Sequence, residues 1–494
     1  MRYLPDGSIS PDVTPVAFST AAADGGVESD RLWSRLHETV PGVVFIAPGD
    51  SKEERPIAEG QSRGIRRDGC SAECRVVLTL TSDSTLASGL PKRIAYLGPR
   101  PDFVYLDEIA KNGHVLVSAD GLPVIVERRP HLFMGVSPWQ LGSPVMPYLY
   151  PLLKAWLSQR AGLETMPASP LAAFRFDDLP ATAHEVISAS RVDELDHARA
   201  ATIGRLRRFA NERGVVMSFA YSTHFPTADG FGRIADRMPC SVAELKKGQA
   251  EGSFEIGSHG MVHLRHPGDR RPEAESDHRE FIDLDERATE DHIAASKGEI
   301  ERAFGLAPRF FVAPAWAYRQ GVTKPAAAKH AAISIDSTQH VESGDCPPIG
   351  ATDPETQRPS LAETFRPGAS LLNFTNPDFW RCYAVAGIPI HFMQHSDVDR
   401  DRLGWVIRGM AAGLPQSGRL RRLVLAMDSA STPAYRRAVA AFVIAVNGVG
   451  FGRAVALFLR EARLDVYRVM GAALSAGYRC VAVSALYESL STRG

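Results

Sequence analysis

The chain has 494 residues, of which 44% are hydrophobic and 23% are charged. This composition is ordinary for a folded protein and argues against wholesale disorder, and the length predicts two or three domains. Lys and Arg total 56 against 57 for Asp and Glu, a net charge of -1. A basic surface for nucleic acid or for an anionic membrane is therefore not expected.

Neither the cysteines nor the apolar segments predict a secreted or membrane-spanning chain. The six cysteines are too sparse and irregular for a disulfide framework, although a disulfide or redox pair between Cys70 and Cys74 stays open. The first residues lack a charged-then-apolar leader, so a cytoplasmic location is expected. The most apolar stretch, Ala438–Leu459, is interrupted by Asn447 and Arg453, which favours a buried helix or helix pair over a membrane span.

Residues 1–165 are predicted to form an accessory domain that is α/β or rich in β-structure. Five short runs with many β-branched residues, each bounded by Gly, Pro or Asp, are typical of strands. They are VVFIAP, RVVLTLT, RIAYLG, HVLVSA and LPVIVE. PYLYPLLKAWLSQRAG then has the pattern of an amphipathic helix. No nucleophile elbow, P-loop or dinucleotide fingerprint occurs in this part, and substrate capture or assembly is the hypothesis for its role.

TMPASP, residues 165–170, predicts a linker, and the pattern changes after it. Apolar runs of strand length there alternate with amphipathic helical patterns. Parallel strands buried on both faces give this alternation, so residues 170–494 predict a (β/α) barrel or a doubly wound sheet. The runs are AAFRFDD, GVVMSFAYS, SFEIGSH, PRFFVAP, AAISIDS, GIPIHFMQHSD, RRLVLAMDS and YRCVAVSAL. The polar, charged residues 264–287 predict an exposed loop.

Polar residues follow several of these strands, where active-site groups gather in such folds. AAFRF ends in Asp177 and Asp178, and SFEIG leads to His259 with His263 four positions later. A later strand, GIPIHFMQ, ends in His395. An Asp-Asp pair alone is usually a turn or a cap, and an HxxxH pair alone is usually surface or packing. Their joint occurrence at successive strand ends favours a metal site.

Two histidines and one carboxylate are the usual protein ligands of an open catalytic metal site, which keeps a position for water or substrate. Adjacent aspartates point in different directions, so one can bind metal while the other acts as a base. A histidine from another strand could then protonate the leaving group.

FRFDD, SHGMVH, FFVAPAWAY and a late strand that ends in histidine together resemble the polysaccharide deacetylase superfamily (NodB-homology domain, carbohydrate esterase family 4-like). GAALSAGYRCVAVSALYESL is similar to that family's last helix, strand and helix. The resemblance covers residues 170–494, about two-thirds of the chain. It implies a distorted seven-stranded (β/α) barrel and a divalent metal, Zn²⁺ foremost, with Co²⁺, Ni²⁺ or Mn²⁺ as alternatives.

By this resemblance, Asp177 is the catalytic base, and Asp178, His259 and His263 are the metal ligands. His395 is the general acid. The implied reaction is metal-assisted removal of an N-acetyl group from an amino-sugar-containing glycan or glycoconjugate, with release of acetate.

Two assignments within the resemblance stay open. His391 is the alternative general acid, on the face of the strand that His395 shares but about 13 Å earlier at roughly 3.3 Å per residue. The motif FFVAPAWAY implies a substrate-binding loop, with a backbone N–H at the oxyanion and aromatic rings stacked on a sugar. Aromatic residues of an ordinary loop or of the core would give the same sequence. The members of the implied loop are Pro314, Ala315, Trp316 and Tyr318.

The sequence departs from the family at two positions. The family's arginine that orients the catalytic aspartate is replaced by Val312, and Asp336 is the nearest counterpart of its aspartate-tryptophan motif. The alternatives are therefore a related hydrolase of a small amide or cyclic ureide, and an inactive glycan-binding barrel. A glycosidase would need two carboxylates flanking one cleft, and it would leave the HxxxH pair unexplained.

Overall fold

The computed structural model describes fourteen parts of the chain. They are residues 17–22, 42–47, 73–81, 85–99, 105–135, 146–161, 170–189, 191–264, 279–314, 319, 321–335, 376–387, 389–394 and 466–491. None of the helices within these ranges is both long enough and apolar enough to cross a membrane. Cys70, the Ala438–Leu459 stretch and the predicted strand RRLVLAMDS lie outside them.

The amino-terminal part of the chain forms a mixed sheet of seven strands in the order β1-β2-β7-β6-β5-β3-β4. Its first three strands in that order are parallel, and the remaining pairs are antiparallel. The strands are β1 (Ala17–Ala22), β2 (Gly42–Ala47), β3 (Glu73–Leu80), β4 (Arg93–Pro99), β5 (His114–Ala119), β6 (Leu122–Arg128) and β7 (His131–Met134). All five predicted strands are present, whereas β1 and β7 were not predicted.

Local chemistry explains the hairpin between β5 and β6. Asp120 and Gly121 lie between the strands with φ angles of 49° and 89°, the left-handed pair that a two-residue hairpin turn requires. The Asp120 carboxylate accepts a hydrogen bond from the Val77 N–H at 2.9 Å, which joins the turn to β3.

Two helices accompany this sheet, α1 (Asp107–Ala110) and α2 (Met146–Ala161), and α2 is the amphipathic helix predicted from the sequence. The Tyr148 hydroxyl on α2 donates to the Pro91 carbonyl at 2.7 Å. The Lys154 ammonium donates to the Ala386 carbonyl at 2.9 Å. The helix therefore connects the amino-terminal sheet to the rest of the chain. Residues 162–169 lie outside the described ranges, and a domain boundary there stays a prediction.

The carboxy-terminal part contains a second sheet of seven strands, all parallel. Its order is β14-β13-β12-β9-β8-β15, and β16 pairs with the first residues of β8. The strands are β8 (Leu171–Asp177), β9 (Met217–Tyr221), β12 (Phe254–Ser258), β13 (Phe310–Val312), β14 (Ile333–Ile335), β15 (Ile390–Gln394) and β16 (Arg479–Val481). β10 (His224–Thr227) and β11 (Gly230–Arg233) form a separate antiparallel pair. The predicted α/β class with a parallel sheet is confirmed.

Helices connect these strands, as the alternating pattern predicted. They are α3 (Ala183–Ser188), α4 (Val192–Arg213), α5 (Ile234–Arg237), α6 (Pro239–Ala250), α7 (Glu286–Phe304), α8 (Thr323–His330), α9 (Pro377–Ala386), α10 (Val466–Ser475) and α11 (Val483–Ser491). The last helix, strand and helix agree with the carboxy-terminal pattern expected from the sequence. α7 begins where the Asp285 carboxylate accepts the Ala288 N–H at 2.8 Å, a conventional N-cap.

The two faces of β8 have different surroundings. Phe174 and Phe176 pack in the large hydrophobic cluster that contains the helices. Leu171 and Ala173 face the other way and share a cluster with Ile335 from the distant strand β14. Because β14 and β8, which are four positions apart in the strand order, contact one cluster, the sheet curves around it. Alternation continues this inner face to residues 175 and 177, at the carboxyl end of the strand.

Helix α11 closes the opposite end of the curved sheet. Its first N–H, on Val483, donates to the Ser218 hydroxyl at 2.9 Å, and that hydroxyl donates to Glu255 at 2.7 Å. The Glu255 carboxylate also accepts the Ser484 N–H at 3.3 Å. A carboxylate at a helix amino terminus is favoured by the helix dipole. The amino-terminal ends of the strands are thus joined to the end of the chain.

We expect Ser218→Ala to lower the free energy of unfolding by about 1–2 kcal/mol, because the buried Val483 N–H loses its acceptor. Urea unfolding followed by circular dichroism measures the change. Ser489→Ala is the control: its hydroxyl donates to Leu486 within the same helix, and its removal should cost less than about 0.5 kcal/mol. Equal losses in the two variants would contradict a special role for Ser218.

Candidate metal centre

Three side chains predicted from the sequence lie together at the carboxyl edge of the second sheet. The possible ligand atoms of Asp178, His259 and His263 all lie within 4.8 Å of one another. The Asp178 Oδ1 atom is 3.5 Å from His259 Nε2 and 3.2 Å from His263 Nε2. The residues meet because β8 and β12 flank β9 and end at the same edge.

The backbone at this cluster is strained. Asp178 has a φ angle of 66° and His263 one of 52°, the left-handed region that residues with a Cβ seldom occupy. Such a conformation costs about 1 kcal/mol or more and persists only where the surrounding structure imposes it. Two of the three candidate ligands thus occupy unfavourable backbone positions, a pattern typical of functional sites.

Hydrogen bonding orients the His259 ring. Its Nδ1 lies 3.0 Å from the Val312 carbonyl oxygen, and a carbonyl only accepts, so Nδ1 carries the proton. The lone pair is therefore on Nε2, the atom directed at Asp178. A backbone carbonyl on the outer nitrogen is a common way to orient a metal-binding imidazole. Val312 contributes to this cluster through its backbone carbonyl.

The electrostatics of His263 reflect its carboxylate neighbour. Burial by itself would lower the pKa of His263, but the charge of Asp178 and its hydrogen bond outweigh burial and raise that pKa. The Asp178 side chain is 14% exposed, whereas both imidazoles are almost buried. One carboxylate and two imidazoles fit a divalent metal of the zinc type.

Asp177 is held by a residue that the sequence did not identify. Arg175 donates from Nε to one Asp177 oxygen at 2.7 Å and from Nη2 to the other at 2.8 Å. Arg175 is only 1% exposed, and its planar fork matches the two carboxylate oxygens. The only signal in the sequence was an arginine on the inner face of the otherwise apolar run AAFRF.

The alternative acid, His391, also contacts this pair. Arg175 Nη1 lies 3.4 Å from His391 Nε2, and because a guanidinium only donates, Nε2 is the acceptor. The pKa of His391 is held well below its ordinary value by burial and then by the charge of Arg175. His391 is therefore neutral, and its Nε2 lone pair is engaged by Arg175.

The predicted acid His395 lies outside the described residues. The last described residue of β15, Gln394, pairs with Phe176 of β8, directly before Asp177. Pro314 is buried and lies against the loop that carries the histidines, since a Cβ added at Gly260 would be 3.0 Å from its Cγ. The remaining predicted substrate residues and the motif counterpart lie beyond the described ranges. They are Ala315, Trp316, Tyr318 and Asp336.

The segment predicted as an exposed loop, residues 264–287, is only partly so. Leu264, Glu280 and Phe281 are buried, with Glu280 0% exposed, so the prediction is wrong for these residues. The Glu280 carboxylate accepts hydrogen bonds from the loop that carries His263. It is the second residue near the site that the sequence did not identify.

No family model matches the chain, and no curated protein matches it. The chitin deacetylase of the fungal pathogen Colletotrichum lindemuthianum is a similar solved structure, with 14% identity over 66% of this chain and 91% of its own, and a TM-score of 0.29. The Bc1960 peptidoglycan N-acetylglucosamine deacetylase has 14% identity over 47% and 74%, with a TM-score of 0.26. BA3943, a CE4 family pseudoenzyme from Bacillus anthracis, has 12% identity over 47% and 56%, with a TM-score of 0.25.

These solved structures come from the family that the sequence motifs resemble. The fold class follows from the order and direction of the chain's own strands.

The neutral state of His391 predicts how stability depends on pH. The unfolded chain binds a proton at this residue below its ordinary pKa of 6.5, whereas the folded chain does not, so stability falls as the pH drops below that value. We expect His391→Gln to remove up to about 1.4 kcal/mol per pH unit from this slope. Urea unfolding at about pH 7.5 and about pH 5.5 measures the slope.

His224 is the matched control for this experiment, because burial lowers its pKa to about 4 and it lies outside the metal cluster. His224→Gln should reduce the same slope by a similar amount between the ordinary histidine value and that lower one. A wild-type slope in His391→Gln would show that folding does not lower the pKa of His391.

Proposed function

We propose that the chain is a metal-dependent hydrolase that removes N-acetyl groups from an amino-sugar-containing glycan or glycoconjugate and releases acetate. The observation that carries this proposal is the adjacency of two carboxylates with different partners. Asp178 faces His259 and His263, while both oxygens of Asp177 accept hydrogen bonds from Arg175. A hydrolytic site that separates metal binding from proton transfer needs this division.

Asp178, His259 and His263 would hold the metal, with Zn²⁺ the best match to the donor set and Co²⁺, Ni²⁺ or Mn²⁺ as alternatives. When bound, such an ion supplies Lewis-acid polarisation of the amide carbonyl and makes water more acidic. The fixed tautomer of His259 leaves Nε2 as the coordinating atom.

Asp177 acts as the base that takes a proton from the attacking water. A carboxylate has about four lone-pair sites, and the fork of Arg175 accounts for two of them, so this ion pair does not by itself use up the capacity of Asp177 to accept a proton. Arg175 holds the carboxylate in one orientation. It thereby takes the positioning role that the family assigns to the arginine missing at Val312.

The proton for the leaving amine is assigned to His395. His391 is unsuited to that step because it is buried and neutral and its Nε2 accepts from Arg175. In this assignment, His391 accepts a contact from Arg175, and the acid is the histidine four positions later in the sequence. Trp316 and Tyr318 remain the candidates for stacking on a sugar ring.

The inactive glycan-binding alternative explains the strained backbone less well. A protein that only binds glycan gains nothing from holding Asp178 and His263 in left-handed conformations. A small amide or ureide substrate remains the main alternative within the hydrolases, and the assay described next separates it from an acetylated sugar.

We expect the purified chain to contain about one metal per molecule and His259→Ala to lose both the metal and acetate release, because a ligand is removed. Elemental analysis and acetate release from an N-acetylated chito-oligosaccharide measure the two quantities in the same samples. His131→Ala is the matched control, since His131 is equally buried but lies in the amino-terminal sheet.

Three results distinguish the alternatives. Loss of both quantities in His259→Ala alone supports the deacetylase. Metal without acetate release from the wild type favours a small amide or ureide. A wild type that stays metal-free after reconstitution with Zn²⁺ contradicts the hydrolase and favours the binding protein.

Arg175→Lys tests how Asp177 is oriented. Lysine keeps the charge but loses the two-pronged contact, so we expect kcat to fall about 10- to 100-fold, as misplaced catalytic groups do, with unchanged metal content. Arg199→Lys is the control, because Arg199 is also buried and paired, with Glu185 at 2.7 Å. Steady-state kinetics that show equal losses in both variants would indicate a general effect on stability.

A further inference from the structure

The loop that carries His263 is organised around a buried carboxylate. Glu280 is 0% exposed, and a charge removed from water is tolerated only where hydrogen bonds compensate it. Three successive backbone N–H groups supply them, from Met261 at 3.1 Å, Val262 at 3.1 Å and His263 at 2.9 Å. Successive N–H groups that converge in this way form an anion-binding nest, and here the anion belongs to the chain itself.

Gly260 makes room for this carboxylate. Its φ angle is +78°, and a Cβ at this position would lie 2.4 Å from Glu280 Oε2. Any residue but glycine would therefore meet the carboxylate and also adopt an unfavourable backbone conformation. The third residue of the SHGMVH motif, Gly260, is thus explained by Glu280 rather than by the metal cluster.

Helix α7 holds Glu280 from the other side. His292 Nδ1 lies 2.7 Å from Glu280 Oε1, and a carboxylate oxygen with no proton only accepts, so the imidazole donates. Glu280 thereby links α7 to the loop between Gly260 and His263. The hydrogen-bond partners of the carboxylate are the N–H groups of this loop and the imidazole on α7.

The geometry points to Glu280 as a positioning residue for metal binding, which holds His263 in its left-handed conformation and directs its Nε2 at Asp178. This inference rests on the proposed function. His263 has a φ angle of 52°, and its own N–H makes the shortest of the three loop contacts with Glu280. Without the carboxylate the three N–H groups lose their acceptor, and the loop is free to relax towards ordinary backbone angles.

Glu280→Gln tests the inference, because the amide has a similar shape but less charge and only one accepting oxygen. Affinity for Zn²⁺ is measured by competition with a chromophoric chelator, and the geometry of the site by the visible absorption of the Co²⁺-substituted protein. We expect affinity about 10–100-fold weaker than in the wild type, the usual effect of removing an outer hydrogen-bond partner, together with an altered Co²⁺ spectrum.

Glu299→Gln is the matched control. Glu299 is also buried and lies on α7, where it pairs with Arg302, but none of its hydrogen bonds that the structure describes goes to the histidine loop. Its affinity for Zn²⁺ should equal that of the wild type. If Glu280→Gln does not fold by circular dichroism, His292→Leu removes the donor on α7 and should weaken Zn²⁺ binding in the same direction.

The outcomes separate this inference from the proposed function. A wild type that binds no Zn²⁺ overturns the hydrolase and the role of Glu280 with it. A wild type that binds Zn²⁺, alongside a folded Glu280→Gln with the same affinity and Co²⁺ spectrum, overturns only the role of Glu280. Weaker binding in Glu280→Gln but not in Glu299→Gln supports it.

Discussion

The pairing of Arg175 with Asp177 is the constraint on which the rest of the site depends. A guanidinium is always charged, and burying one inside a curved sheet requires a partner that takes its charge. Asp177 does so with both oxygens. His391, which lies on β15, accepts a third contact from Arg175. The pair fixes Asp177 at the strand end and leaves the next residue, Asp178, to turn in another direction.

That turn places Asp178 in a left-handed conformation and brings it to the two histidines. Contacts behind the cluster position the two histidines. The Val312 carbonyl orients His259, and the Glu280 carboxylate accepts hydrogen bonds from the loop that carries His263. The amino-terminal ends of the strands have a different task, since α11 is bound there by Ser218 and Glu255. One end of the sheet is thus closed by α11, and the other carries the proposed metal site.

Much of the fold follows from local patterns. Alternating apolar runs and amphipathic helices predict a parallel sheet because only strands buried on both faces are so uniformly apolar. The strands β1 and β7 were not predicted, because AFSTAA consists mostly of small residues and HLFM is very short. The meeting of Asp178 with His259 and His263 was also predictable, since the carboxyl ends of parallel strands share one edge.

The sequence by itself determined that parallel strands bring Asp178, His259 and His263 to one edge of a sheet, because strand periodicity and parallel pairing are local rules. Only the tertiary structure decided the partners of those side chains. Arg175 is an ordinary strand position until its fork meets Asp177, and Glu280 belongs to a charged segment that is typical of an exposed loop. His391 precedes the predicted acid by only four positions in the sequence, but a guanidinium from β8 makes it an acceptor. Such roles depend on contacts between residues distant in the chain, and no spacing in the sequence encodes them.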